Sequence, residues 1–372
     1  MGITINIARM KSYYLLTLLV FTIFSCKKPS GPDPVPPPVT PPVTTPVVPP
    51  TVYSGYDLLW NDEFNDNTIQ SNKWVFETGT GVNGDFGTGQ LDRATDRSEN
   101  AKIENGVTGS GGGCLAITTR KENYIDRQYT SARLTTQGKG EWGPGTRIEA
   151  RIWPRDVLYK GQGFAFWMMP AEKPANQTYI MWPQGGEIDI MEYVGSIPYH
   201  NLGSVHYAWS WEQNQYQSWN HAHKGAYFSY DEKQVPFPNP SQGGWPVPAE
   251  TASAGSGGFH TYRIDWYNDR MEFAIDEQVY HIHYFKDGGV YNNAADGQDA
   301  DALTMLGTKR IMKSEYSSAH FAEWSPFEHK FFILLTAGVG GNDTYTYGGA
   351  IAPTASFPCT TFIDWIRVYK RQ

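Results

Sequence analysis

The sequence has little charge and almost no cysteine. Charged residues make up 18% of its 372 residues and there are three cysteines, whereas ordinary soluble domains are about 25% charged. Acidic residues outnumber basic ones, which gives a formal net charge of −8. Because no basic excess is present to neutralise phosphates, we expect that the protein does not bind nucleic acid.

A long hydrophobic run is also missing. The most apolar stretch, residues 13–24, follows Arg9 and Lys11 and is too short to span a bilayer comfortably, which is typical of an export signal. It ends in Ile23-Phe24-Ser25-Cys26, which resembles a bacterial lipoprotein signal. We therefore expect residues 1–25 to be removed and Cys26 to carry a lipid that anchors the exported chain to a membrane, facing the periplasm or the cell exterior. An ordinary secretory signal that is cut nearby is the alternative.

Proline is concentrated in one segment. Residues 29–52 hold 11 of the 25 prolines, and the composition is even from Tyr53 to Gln372. Such a segment favours extended polyproline II and cannot build a core. We predict a lipidated stalk over residues 26–52 and one domain over residues 53–372. Within that domain, Cys114 and Cys359 either form a disulfide or remain as buried thiols.

Aromatic residues and glycine are abundant, at 15% and 38 residues. Polar and apolar residues alternate with a period of two in several stretches, and two further stretches are uniformly apolar, as strands buried on both faces are. The alternating stretches are 147–153, 262–266, 271–275 and 362–369, and the apolar ones are 163–169 and 330–335. Helical periodicity is scarce, so the sequence predicts an all-β domain.

Three carboxylates stand close together in Glu187-Ile188-Asp189-Ile190-Met191-Glu192. A regular strand sends Glu192 to the opposite face from Glu187 and Asp189, but one β-bulge between Asp189 and Glu192 brings all three to the same face. Two carboxylates on one face suit glycoside hydrolysis, in which one attacks the anomeric carbon and the other protonates the leaving oxygen. A calcium cluster or a solvated edge strand is the alternative, which the apolar residues between the acids disfavour.

The sequence resembles glycoside hydrolase family 16, in particular its laminarinase-like members. The acidic motif matches the family's Glu-x-Asp-x-x-Glu, and five more segments follow in the family's order, namely 57–64, 129–134, 164–170, 203–206 and 362–369. The resemblance implies a jelly-roll sandwich of two curved antiparallel sheets with a concave sugar-binding cleft. It further implies that Glu187 is the nucleophile, Asp189 its helper and Glu192 the acid/base of a retaining endo-hydrolase. The expected substrate is β-1,3-glucan (laminarin) or mixed-linkage β-1,3(4)-glucan.

The resemblance also suggests residues that bind substrate or metal. The side chains expected along the sugar cleft are Trp182, Arg133, Trp167, His206, Trp209 and Trp211. A structural calcium ion, held by Glu63, the Gly106 carbonyl and Asp364, is a further expectation, with ordinary hydrogen bonds of these residues as the alternative. We expect no cofactor in catalysis and a monomeric protein.

Two other functions remain open at this point. The segment Gly87 to Asp92 departs from the Asn-Glu-Leu-like segment of many laminarinases, and it borders the cleft. One alternative is therefore a hydrolase of an algal galactan of the agarose, porphyran or carrageenan type, although the low charge argues against sulfated polymers. The other alternative is a surface protein that binds polysaccharide without cutting it, but such a protein has no need for Glu187 and Glu192.

Overall fold

The strand-like segments of the sequence form two sheets in a computed structural model of the protein. The structure describes residues 49–173, 182–195, 200–208, 221–230, 256–285, 302–306, 309–315, 324–341 and 349–372. The strands are β1 (Tyr56–Asp62), β2 (Val75–Phe76), β3 (Asp92–Ala94), β4 (Ala101–Glu104), β5 (Cys114–Tyr124), β6 (Arg127–Ser131), β7 (Arg133–Thr135), β8 (Thr146–Trp153), β9 (Gln162–Pro170), β10 (Glu187–Val194), β11 (His200–Ala208), β12 (His221–Ser229), β13 (His260–Trp266), β14 (Arg270–Ile275), β15 (Gln278–Tyr284), β16 (Ala302–Leu306), β17 (Lys309–Glu315), β18 (Phe331–Val339) and β19 (Cys359–Arg371). The helical segments of the described residues are two short 3₁₀ turns, Val82–Gly84 and Pro326–Glu328.

The two sheets differ in size. The larger one has 12 strands in the order β16-β17-β15-β14-β13-β8-β19-β5-β6-β3, with β1 paired to β19 and β4 to β5. The smaller one has seven strands in the order β12-β11-β10-β9-β18-β7-β2. Neighbouring strands of the described residues are antiparallel, apart from the parallel pairs β15–β17 and β3–β6.

The hydrophobic core lies between the sheets. All nine residues of β18 are buried, as its uniformly apolar sequence predicts. In β8 the alternating pattern sends Ile148, Ala150 and Ile152 into the core, while Arg147 and Glu149 point to the outer face of the larger sheet. The predicted all-β sandwich is therefore confirmed, and every segment predicted to be a strand lies in one, apart from Lys330, which directly precedes β18.

The first residues of the domain cover the outer face of the larger sheet at β8. The Tyr53 hydroxyl donates a hydrogen bond to Glu149 at 3.1 Å. The Arg147 guanidinium lies 4.6 Å from the Tyr53 ring centroid and 4.5 Å from that of Tyr56. Glu149 is 0% exposed beneath this cover, and its burial raises its pKa to about 7.

Cys114 and Cys359 are free, buried thiols. The β5–β19 register pairs Cys359 with Thr119, five residues along β5 from Cys114. The disulfide alternative is therefore absent and the buried-thiol alternative holds. Burial raises the pKa of each thiol to about 12, so neither is a reactive thiolate.

The proposed signal peptide, Cys26 and most of the stalk lie outside the described residues, and those predictions stay predictions. The residues that the structure does describe contain no apolar helix with the length needed to cross a bilayer.

Candidate active site

The acidic motif lies on β10, near the middle of the smaller sheet. Against β11, Glu187 pairs with His206 and Asp189 with Ser204, and the register then shifts before Glu192. Against β9 the shift falls between Asp189 and Met191. Ile190 and Met191 are consequently both buried in the core, which a regular strand cannot achieve for two consecutive residues. The predicted bulge is confirmed.

The bulge brings the three carboxylates together on the outer face of the smaller sheet. Ser204 Oγ donates to Asp189 Oδ2 at 2.9 Å and lies 3.4 Å from Glu192 Oε2. One carboxylate oxygen of Glu187, one of Asp189 and a ring nitrogen of His206 also lie within 4.8 Å of one another. One hydroxyl therefore bridges two of the acids, and Ser204 is a site residue that the sequence analysis missed.

The surroundings of the acids shift their pKa values. Burial raises the pKa of Glu187 to about 7, although hydrogen bonds from Trp182 and Asp189 and the charge of Arg133 act against the shift. Burial and the charge of Glu187 raise the pKa of Glu192 to about 7, and the Ser204 hydrogen bond opposes this. Burial and the charges of both glutamates raise the pKa of Asp189 well above its usual range. At neutral pH the cluster therefore holds protons that isolated carboxyls would have lost.

The hydrogen-bond partners decide which glutamate ionises first. Trp182 Nε1 donates to Glu187 Oε2 at 2.7 Å, and Asp189 shares a second hydrogen bond with Glu187. Arg133 adds a positive charge that favours the Glu187 carboxylate. Glu192 has fewer stabilising partners and is repelled by ionised Glu187. Glu187 is thus suited to be a carboxylate while Glu192 stays protonated.

Most of the other predicted cleft residues lie on the same face of the sheet as the acids. Trp167 pairs across the strands with Asp189, and Arg133 with Thr336. The Arg133 Cζ is 4.8 Å from the Trp167 ring centroid, and Trp167 Nε1 donates to Thr336 Oγ1 at 2.9 Å. Polar and aromatic side chains thus form a row that crosses the strands, as an extended polymer in a cleft requires. Thr336 is another member of this row that the sequence analysis missed.

Two of the predicted residues flank the acids on the β11 side. Trp182 is 37% exposed, and its ring centroid lies 5.8 Å from that of His206. His206 Nε2 is 3.4 Å from Asp189 Oδ2. The His206 ring also stacks on His223, with the ring centroids 4.1 Å apart. His223 is brought to the site by the β11–β12 register, which pairs it with His206. The predicted Trp209 and Trp211 lie outside the described residues.

The residues proposed for calcium are engaged elsewhere. Both carboxylate oxygens of Glu63 accept hydrogen bonds from Arg367, at 2.8 and 2.9 Å. Asp364 accepts from Arg151 at 2.5 Å and from the Gly111 backbone at 2.9 Å. These arginines already neutralise the two carboxylates, so Glu63 and Asp364 fit poorly as the ligands that would join the Gly106 carbonyl around a calcium ion. The calcium site stays a prediction.

Comparisons with known proteins show what the whole chain is similar to. A scan against family models finds no match. The chain is 30% identical over 299 residues to the glucan endo-1,3-beta-glucosidase of Cryptopygus antarcticus, covering 78% of this chain and 83% of that protein. Its fold is similar to the laminarinase catalytic domain of Thermotoga maritima MSB8, with a TM-score of 0.58, 31% identity and coverage of 85% and 99%. It is also similar to SCLam, a non-specific endo-beta-1,3(4)-glucanase from family GH16, with a TM-score of 0.57, 26% identity and coverage of 88% and 96%.

Proposed function

The chain belongs to glycoside hydrolase family 16, and on that basis we propose that it is a retaining endo-hydrolase of β-1,3-glucan or mixed-linkage β-1,3(4)-glucan. The observation that carries the proposal is the bulge of β10, which brings Glu187, Asp189 and Glu192 to one face of the sheet. The relatives described above act on the same class of β-glucan, which favours this function over the hydrolysis of an algal galactan.

The proposed reaction is a double displacement. In the first step, the Glu187 carboxylate bonds to the anomeric carbon while Glu192 donates its proton to the departing glycosidic oxygen. In the second step, Glu192 takes a proton from water, and the resulting oxygen nucleophile displaces Glu187 from the sugar. Each step inverts the anomeric centre, so the product keeps the β configuration.

The remaining site residues hold the acids or the sugar. The hydrogen bonds from Trp182 and Asp189 fix the Glu187 carboxylate and stabilise its charge. The exposed part of the Trp182 ring suits the apolar face of a pyranose. We assign Arg133, Trp167 and His206 to sugar contacts because they lie in the same row as the acids.

Cleavage of defined polysaccharides tests the proposal. We expect the purified protein to lower the viscosity of laminarin and lichenan solutions early and to release oligosaccharides, as an endo-acting enzyme does, and to leave agarose and carrageenan intact. Proton NMR of early laminarin digests should show the β-anomer first. Release from agarose or carrageenan alone would favour the galactan alternative, and binding of laminarin without release from any polymer would favour a non-catalytic binder.

We also propose that the enzyme is exported as a monomer and held at a bacterial membrane by a lipid on Cys26. Support comes from the sequence, in which the apolar segment, Cys26 and the proline-rich stalk follow one another. Metabolic labelling with a radioactive fatty acid should mark the wild-type protein and leave Cys26→Ala unlabelled.

A further inference from the structure

The loop between β2 and β3 holds one aromatic side chain in a strained conformation. Phe86 has a φ of +54°, in the left-handed region that bulky residues rarely adopt. Such strain persists only where the surroundings impose it, and it concentrates at functional sites. Phe86 therefore calls for an explanation in terms of what its ring contacts.

Local contacts fix the Phe86 ring. The Phe86 backbone N–H donates to the Thr80 carbonyl at 2.8 Å. The ring packs on Gly81 so closely that a Cβ added to Gly81 would lie 2.2 Å from the Phe86 Cδ1. The base of the loop is closed by two hydrogen bonds between the Gly79 and Ala94 backbones, both 2.8 Å. The loop therefore presents Phe86 as a rigid feature.

The Phe86 ring faces the guanidinium of Arg133. The Arg133 Cζ lies 4.8 Å from the Phe86 ring centroid and 4.8 Å from that of Trp167. Arg133 Nε donates to Glu77, whereas its two Nη nitrogens make no hydrogen bond to any described residue. Arg133 is 9% exposed, and its charge acts on Glu187. Two rings and a carboxylate thus orient a guanidinium whose terminal N–H groups remain available to a ligand.

We infer that Phe86 is a positioning residue for Arg133, and that it fixes the Arg133 Nη groups to donate hydrogen bonds to the hydroxyls of a neutral β-glucan. The partner is an uncharged sugar rather than a sulfate ester, because Glu77 already neutralises the guanidinium. The inference rests on the proposed function, and it assigns a role to a loop whose sequence departs from the laminarinase pattern at residues 87–92.

Kinetics of Phe86 variants on laminarin test the inference. Phe86→Leu keeps the bulk of the side chain and removes the aromatic face, so KM should rise by about five- to tenfold while kcat stays within about twofold. Phe86→Tyr, which keeps the ring, and Val82→Ala, a control in the same loop at a residue that is 74% exposed, should retain the wild-type KM. A wild-type KM in Phe86→Leu, or a loss of kcat at constant KM, would overturn the inference.

A double-mutant cycle separates this role from general support of the loop. If Phe86 acts through Arg133, Phe86→Leu should raise KM much less in an Arg133→Lys background than in the wild type. An equal rise in both backgrounds would show that Phe86 acts independently of Arg133. Should Phe86→Leu fail to fold, Gly81→Ala displaces the ring instead and should raise KM in the same way.

Binding measurements keep the inference testable even without hydrolysis. In the inactive Glu187→Gln background, calorimetry with laminaripentaose should show a dissociation constant about five- to tenfold larger when Phe86→Leu is added. This ratio depends on sugar binding alone, so a failure of the proposed reaction and a failure of the Phe86 inference give different results. Equal dissociation constants would refute the role of Phe86.

Discussion

At the scale of single residues, Glu187 and Glu192 carry similar raised pKa values but have different partners. Glu187 has two hydrogen-bond donors and a nearby arginine, whereas Glu192 has the Ser204 hydroxyl and the repulsion of Glu187. Because the negative charge of Glu187 raises the pKa of Glu192, ionisation of Glu187 keeps Glu192 protonated. This asymmetry is what a nucleophile and a general acid need from residues of the same type.

Substitution of each glutamate should reveal its role. Glu192→Ala should slow polysaccharide hydrolysis by several powers of ten, at about 1.4 kcal/mol for each power, and slow an aryl glycoside with a good leaving group far less. Added azide should restore turnover of that variant and yield a β-glycosyl azide. Glu187→Ala should lose both activities yet join an α-glycosyl fluoride to an acceptor. A β-glycosyl azide formed by Glu187→Ala and not by Glu192→Ala would show that the two roles are reversed.

The Ser204 hydroxyl should lower the pH at which activity begins to fall on the alkaline side. Glu192 acts in its protonated form, so kcat/KM should fall as the pH rises through its pKa of about 7. The Ser204 hydrogen bond lowers that pKa, and Ser204→Ala should therefore move the descending limb of the pH profile to higher pH. Thr336→Val is the control, because the Thr336 hydroxyl accepts a hydrogen bond from Trp167 and makes none with the acids. This variant should leave the descending limb of the pH profile in place. A shift of the Ser204→Ala limb to lower pH would contradict this role.

At the scale of strands, the spacing of the motif predicts both β10 and its bulge, because a period of two with one extra residue is the pattern that puts Glu187, Asp189 and Glu192 on one face. The register between strands was not predictable from the sequence. Ser204 lies in the segment 203–206 that carries the family resemblance, but its place beside Asp189 follows only from the β10–β11 pairing. Phe86 escaped prediction for the same reason, since its contact with Arg133 joins segments that are distant along the chain.

The start of β10 should depend on Gly186. This residue has a φ of +84°, and a Cβ would lie 2.8 Å from the Pro326 Cβ and 3.1 Å from atoms of Phe327 and Phe331. Gly186→Ala should lower the free energy of unfolding by about 3 kcal/mol, from backbone strain and overpacking, and displace the adjacent Glu187. Gly138→Ala shares a positive φ of +69° but meets open space, so it should cost only about 1 kcal/mol. Urea unfolding and laminarin hydrolysis of both variants give the comparison, and equal losses would refute the steric argument.

At the scale of the whole molecule, the outer faces of the two sheets hold their acidic residues in different surroundings. The acids of the smaller sheet are collected at one place on its outer face, while Glu149 of the larger sheet lies under Tyr53 among arginines. The alternation of β8 predicts that Glu149 points away from the core. It does not predict burial there, since that depends on how the residues before β1 cover the sheet.

This burial should make stability depend on pH. The folded-state pKa of Glu149, about 7, lies above its ordinary value of 4.5, so the native state holds a proton that the unfolded chain has lost between these values. Stability should therefore fall as the pH rises from about 4.5 to 7. Glu149→Gln removes the ionisable group, so at pH 8 its free energy of unfolding should exceed that of the wild type by up to about 3 kcal/mol and its melting temperature should be higher. At pH 4.5 the two proteins should differ little. If Glu149→Gln had a lower melting temperature than the wild type at pH 8, the ionised Glu149 carboxylate would stabilise the fold instead.

The placement of the acids on one continuous strand affects which parts of the protein can accept mutations during evolution. Only four residues of unbroken backbone separate Glu187 from Glu192, so covalent geometry, rather than the packing of distant segments, sets the spacing between the two reacting groups. The surrounding loops, including the one that carries Phe86, can accept substitutions and insertions without moving one acid relative to the other. The bond-breaking apparatus is thereby robust to mutation, while the choice of polysaccharide remains open to selection.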